Sequence, residues 1–347
     1  MPDATPILAI QPLGFPWQTL DPFLFCVYHL DSYPAGDDAQ GVPRAALAGR
    51  PLGNDFEPKD GWRMYHGQHV PGFPRHPHRG FETITIARQG FIDHADSLGA
   101  TARFGQGDVQ WMTAGRGIEH SEMFPLRQPA APNTTELFQL WLNLPARNKL
   151  VQPHFSMLWG HTLPHLQMTD AQGLATEVCL IAGSLGEHKA PAPPPHSWAA
   201  EPDNHLAVWT LRMAPGARWT LPAGVEGVNR ALYSFSQAAE LDIAGHRLKH
   251  PAFLPLSATS AIELENRGSV VAEFLYLQGR PISEPVVPYG PFVMNTAGEI
   301  QQAMQDYRQG LFGRWPWPSD GPVHARDQAR FAIHADGRRE DPPLATS

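Results

Sequence analysis

Two short segments carry the residue types that bind transition metals. The first, HPHRGFETITIARQG, begins at His76 and sets His76 and His78 two apart; the second, GDVQWMTAGRGIEHSEM (107–123), sets His120 and Glu122 at the same spacing. In an extended strand, residues i and i+2 point to one face. Each pair therefore aims its two side chains into one space. If the segments are neighbouring strands, three imidazole nitrogens and one carboxylate oxygen converge. That donor set suits a first-row metal of Fe(II) character, and zinc stays open on ligand type alone. Four protein ligands would leave one or two positions on a five- or six-coordinate ion for water, O₂ or a chelating substrate. The chain has 17 histidines, so one H-x-H spacing carries little weight. Two such pairs, each beside a strand-like run and a Gly turn, carry much more.

The surrounding pattern predicts strands that could position these pairs. FLFCVY (23–28), TITIA (83–87), FIDHAD (91–96), GDVQWMTAG (107–115) and ELFQLWLNL (136–144) are short apolar or alternating runs between turns. A spacing of roughly ten residues between such runs indicates a β-sandwich or barrel. Pro77, between the two histidines, suits a strand end or an edge strand. Residues 34–61 are rich in Pro, Gly and Asp and read as a long loop or insertion. His66 and His69 fall just beyond it in a Gly/Pro stretch and read as solvated. His94, His154, His161 and His165 show no paired partner on a strand face, and His246 and His250 fall on an expected turn.

After a polar connection over 145–176, a second β set begins: EVCLIAGSLG (177–186), HLAVWTLRM (205–213), ALYSFSQ (231–237), AELDIAG (239–245), AIELENRG (261–268) and VVAEFLYLQG (270–279). APAPPP (190–195) must be loop. One helix is signalled. Thr296 and Glu299 form a T-x-x-E capping box, Ile300, Ala303, Met304, Tyr307 and Leu311 follow helical spacing, and Gly310 or Gly313 ends it.

Composition narrows the functional classes. Apolar residues make up 42% and charged residues 17%, which excludes a charge-driven disordered chain. Lys and Arg number 26 against 34 Asp and Glu, so nucleic acid and anionic membranes are poor partners. No run approaches the ~18 apolar residues of a membrane span. The two cysteines, Cys26 and Cys179, make no disulfide framework, and no basic start to a signal peptide precedes Arg44. The expectation is a cytoplasmic protein.

GFPRHPHRGFET (72–83) with Gly90 resembles the first motif of the cupin superfamily, and GDVQWMTAGRGIEHSEM resembles the second motif in its pirin form. DPFLFCVYHLDSYP (21–34), FQLWLNLPARNK (138–149) and EPVVPYGPFVMNTAGEIQQAMQDYRQGLFG (284–313) are similar to pirins as well, so the likeness spans about residues 20–313. It implies an all-β bicupin: two jelly-roll β-barrels packed face to face, with a C-terminal helix. The expected divisions are an N-terminal cupin over 1–150 with the metal, a linker over 151–176, a second cupin over 177–290, and a helix and polar tail over 291–347. The resemblance assigns the metal ligands to His76, His78, His120 and Glu122, leaving Glu82 as a residue supporting them. It implies one divalent first-row metal per chain, Fe(II) first, with Zn, Mn, Ni, Co and Cu open. GARWTLPAG (216–224) replaces H-x-H in the second barrel, so no second metal is expected. Two functional classes follow from the likeness. One is a quercetin 2,3-dioxygenase that opens a flavonol-like aromatic substrate with O₂ and releases CO, Glu122 acting as base and Phe73, Phe81, Trp111 and Met112 as candidate walls. The other is a metal- or redox-dependent module that binds a protein partner. A monomer is expected, because two barrels in one chain supply the contact that single-barrel relatives gain by dimerising.

Overall fold

The computed structural model of the chain describes residues 5–343; the outermost ends of the expected first domain and of the tail, 1–4 and 344–347, lie outside them. The chain forms two compact units that interleave in sequence. One comprises Met1–Val27 with Thr162–Ser283, the other Tyr28–His161 with Glu284–Ser347. These bounds differ from the consecutive divisions expected at 150, 176 and 290. The stretch read as a linker holds two strands, His154–Leu158 and His165–Thr169. The first pairs with Val109–Thr113 and the second with Ala175–Ala182, so backbone pairing draws them into different units.

The unit that begins at Tyr28 has two antiparallel sheets. In the five-stranded sheet the order is His154–Leu158, Val109–Thr113, Phe81–Gln89, Asn133–Asn143 and Phe23–Tyr33. In the six-stranded sheet it is Arg339–Glu340, Phe331–Ile333, Thr101–Gly105, Phe91–Asp96, Ile118–Met123 and Gly72–His78. Inward residues of both sheets meet in one core that includes Ala87, Met112 and Leu137 from the first, and Ile92, Phe104 and Ile118 from the second. The two sheets form a β-sandwich around that core. The long insertion is ordered. Val42, Trp62 and Met64 pack on Tyr33 and Leu126, and the Arg50 guanidinium lies 3.2 Å over the Trp62 ring while bonding Asp55 at 3.0 Å.

The second unit repeats the design with a seven-stranded and a four-stranded sheet around a core of Val178, Leu211, Leu232, Leu254 and Phe274 with their neighbours. The predicted helix is Ala297–Arg308, the single α-helix among the described residues. The Thr296 side chain accepts from the Glu299 N–H at 3.2 Å. The Glu299 carboxylate reaches back to the Asn295 N–H at 3.0 Å, one residue before the position a standard capping box would use. Gly310, at φ +73, ends the helix: the Gly310 N–H donates to the Tyr307 carbonyl and the Leu311 N–H to the Asp306 carbonyl, a Schellman closure. No helix among the described residues is long and apolar enough to cross a membrane.

Candidate metal centre

Gly72–His78 is the edge strand of the six-stranded sheet, where Pro77 costs no ladder bond. It pairs with Ile118–Met123 through an irregular register, with Phe73 opposite Glu122, then a shift, then His76 opposite His120. The shift lets both histidines of one strand and His120 of the next share a face. Ring centroids are 4.4 Å apart for His76 and His120, 4.8 Å for His76 and His78, and 4.9 Å for His78 and His120. One nitrogen from each of the three rings lies within 4.8 Å of the others.

The electrostatics keep these rings neutral. Burial pushes His76 down to about 4. Burial, then the neighbouring imidazoles, drive His78 and His120 well below the ordinary histidine range. Neutral rings present lone pairs, the form a metal requires. The Nδ1 of His78 and both ring nitrogens of His120 are buried and find no hydrogen-bond partner among the described residues. An orphaned buried polar atom is costly. Three convergent, neutral imidazoles, two of them with such atoms, fit a resident cation.

Glu122 sits at the margin of this group, its Oε2 3.9 Å from the His120 Nε2. Thr85 donates its hydroxyl to Oε1 at 3.0 Å and Gln139 donates an amide N–H to Oε2 at 3.3 Å. Burial raises its carboxyl above the usual range; His94, Thr85 and Gln139 oppose that rise. Glu82 does not support the ligands. It stands opposite Thr113 and accepts that hydroxyl at 2.6 Å, and strand alternation turns it to the face away from Thr85. Trp111, on the same face as Glu82, cannot be a wall either, and Met112 belongs to the core. Phe81 lies 5.0 Å from the His78 ring and Phe73 lies 6.2 Å from the His76 ring, between centroids.

Three contributors were not legible in the spacing. Trp141 stands 5.5 Å from the His78 ring and 4.3 Å from Phe81, facing the centre where Trp111 does not. His94 is fully buried, stands opposite Glu122 in the ladder, and lies 5.5 Å from the His120 ring, with Nε2 3.3 Å from Asp96 Oδ2. The H-x-D within FIDHAD was the available signal. Tyr65 stacks on Phe73 at 5.0 Å, donates its hydroxyl to Asp31 at 2.5 Å and meets the His29 Nδ1 at 2.7 Å. It lies just beyond the 34–61 insertion, in a stretch whose sequence gave no sign of it. His66 is exposed, as expected, and its Nδ1 meets the Gly53 carbonyl at 2.7 Å.

Comparison with known proteins shows what the chain is similar to. The family model described as Pirin matches residues 52–142, and that of the Pirin C-terminal cupin domain matches 208–313. A Pseudomonas aeruginosa protein with a provisional quercetin 2,3-dioxygenase name is 38% identical over 260 residues, covering 70% of this chain and 80% of its own. Human pirin is 32% identical over 268 residues, covering 76% and 86% respectively. The crystal structure of quercetin 2,3-dioxygenase from Acinetobacter baumannii is similar at a TM-score of 0.68 and 27% identity, over 89% of this chain and 98% of that one.

Proposed function

This chain belongs to the pirin family of bicupins, and on that premise we propose that it is a metal-dependent oxygenase of the quercetin 2,3-dioxygenase type. The observation that carries the reading is the group of three convergent, neutral imidazoles, those of His78 and His120 buried with unpartnered nitrogens among the described residues, beside a held carboxylate. His76, His78, His120 and Glu122 would hold one divalent first-row ion, Fe(II) being the first candidate. When bound, the metal supplies Lewis acidity toward a flavonol 3-hydroxyl.

The chain's own residues do the rest. Glu122 takes the 3-hydroxyl proton as general base, and Thr85 and Gln139 fix its two oxygens for that transfer. Phe73, Phe81 and Trp141 provide flat apolar surface for an aromatic substrate and keep water from the electron-rich flavonolate. Reaction with O₂ then opens the ring and releases CO.

The test is anaerobic mixing with quercetin followed by admission of air, with metal content measured on the same sample. Wild-type protein is expected to bleach the visible absorbance of quercetin, and Glu122→Gln to bleach it about 100-fold more slowly, a usual loss for a removed general base. Full metal occupancy without bleaching would overturn the enzyme and favour the partner-binding module.

A further inference from the structure

The C-terminal cupin holds a second cluster of reactive side chains, in a unit that contains none of the metal-site residues. His165–Thr169 is an edge strand of its seven-stranded sheet and pairs with Ala175–Ala182. In that register His165 lies directly opposite Cys179, with Glu177 two residues before the cysteine on the same strand. Leu166, Val178 and Leu180 take the alternate positions and point into the core, so the three polar groups share the outer face. The Glu177 Oε1 lies 2.7 Å from the His165 Nδ1, and the ladder sets the same ring across from the Cys179 side chain. Arg212, opposite Glu177 on the next strand, pairs instead with Glu273 at 3.3 Å. The Glu177 carboxylate is thus left to the imidazole.

A carboxylate holding an imidazole that shares a sheet face with a thiol directly across the ladder is the arrangement that activates cysteine nucleophiles. We propose that Cys179, His165 and Glu177 form a reactive-thiol site at the sheet edge, which hydroperoxides oxidise to a sulfenic acid. The thiolate sulfur attacks one peroxide oxygen. An S–O bond forms, the O–O bond breaks, sulfur loses two electrons, and the departing oxygen leaves as water (or alcohol) after taking a proton from the His165 imidazolium. Cys179 is buried but keeps 9% exposure beside the half-exposed His165 ring, whereas Cys26 keeps none. With only these two cysteines in the chain, reduction of the product falls to an external thiol.

Full-length protein treated with hydrogen peroxide and trapped with dimedone would be read by peptide mass spectrometry. Tagging is expected at Cys179 and not at Cys26. It should be at least about tenfold slower in Glu177→Gln and in His165→Gln, because the group that orients the base beside the thiol is lost in the first and that base itself in the second. Thermal melts confirm that each variant is folded. Should either fail, Cys179→Ser decides the matter, because the tagging of wild-type protein should vanish with it. No tagging at Cys179, tagging that survives Cys179→Ser, or equal rates in the folded variants would overturn the proposal.

Discussion

His120 bears both of its ring nitrogens buried and unpartnered among the described residues, directly across the ladder from His76. A site arranged this way would depend on each imidazole separately, because three rings on two strands would share one ion and none substitutes for another. His76→Ala and His120→Ala should each cut metal content per chain at least tenfold, the loss expected when one ligand of a chelate goes. Elemental analysis of dialysed protein measures this, and unchanged content would mean that other residues hold the metal. Gly72 matters for a different reason. Its φ is +126, and a Cβ there would come 2.4 Å from the Glu122 carbonyl oxygen and 2.9 Å from the Met123 Cα. Gly72→Ala should therefore force apart the strands that carry His76 and His120. It should cost more than about 1 kcal/mol and lower metal content. Gly99→Ala is the control, since Gly99 has φ +84 but open space around it. Equal urea midpoints and full metal in both variants would defeat the argument.

Among the elements, the strands with clear alternation were legible: FIDHAD became Phe91–Asp96 to the residue, and the T-x-x-E signal marked the one helix. Strands whose apolar content is diluted were not. His154–Leu158 and His165–Thr169 lay hidden in a polar stretch because each is short and is held by its partner's backbone. Spacing also located the three imidazoles, since i,i+2 geometry is local. It could not place Glu82 and Trp111, whose facing depends on which side of the five-stranded sheet meets the core. The His165 strand gives a pH prediction. Contact with Cys179 first, then Glu177, raises His165 to about 9 against the opposing effect of burial. An unfolded histidine titrates near ~6.5. With the folded value above the unfolded one, the stabilisation is complete below about pH 6.5 and is lost as pH rises through about 9. The ring is nearly half exposed, so solvent screening keeps the effect small. Glu177 and Cys179 adjoin it on this face, with the Arg212–Glu273 pair and Tyr233 farther across the sheet. Urea midpoints of wild type should fall more between pH 6 and about pH 9.5 than those of His165→Gln; parallel curves would remove His165 as the cause.

At the scale of the whole chain, each unit is assembled from two separate stretches of sequence. The tail beyond residue 313, where the match to the C-terminal cupin family stops, belongs to the unit that carries the metal centre. Its role there is structural. Arg103 and Asp93 form a fully buried ion pair at 2.6 Å. The remaining guanidinium protons go to tail carbonyls, those of Ala325 at 2.7 Å, Gln328 at 3.1 Å and His324 at 3.2 Å. The His324 N–H in turn donates to Asp93 at 2.8 Å. Phe331–Ile333 extends the sheet beside Thr101–Gly105, and the Asp320 carbonyl accepts the Arg75 N–H one residue before His76. Removing 314–347 would leave a buried guanidinium short of acceptors and a long sheet edge unpaired. Breaking a buried charged network of this kind costs about 3–5 kcal/mol. At roughly 2–4 °C per kcal/mol for a unit of this size, the melting temperature should drop by about 6 °C or more. Differential scanning calorimetry of the chain ending at Gly313 measures it. The loss should fall on the transition that Asp93→Asn also lowers, because both changes strip the same guanidinium; a truncated chain melting with wild type would show that the tail contributes nothing to this unit.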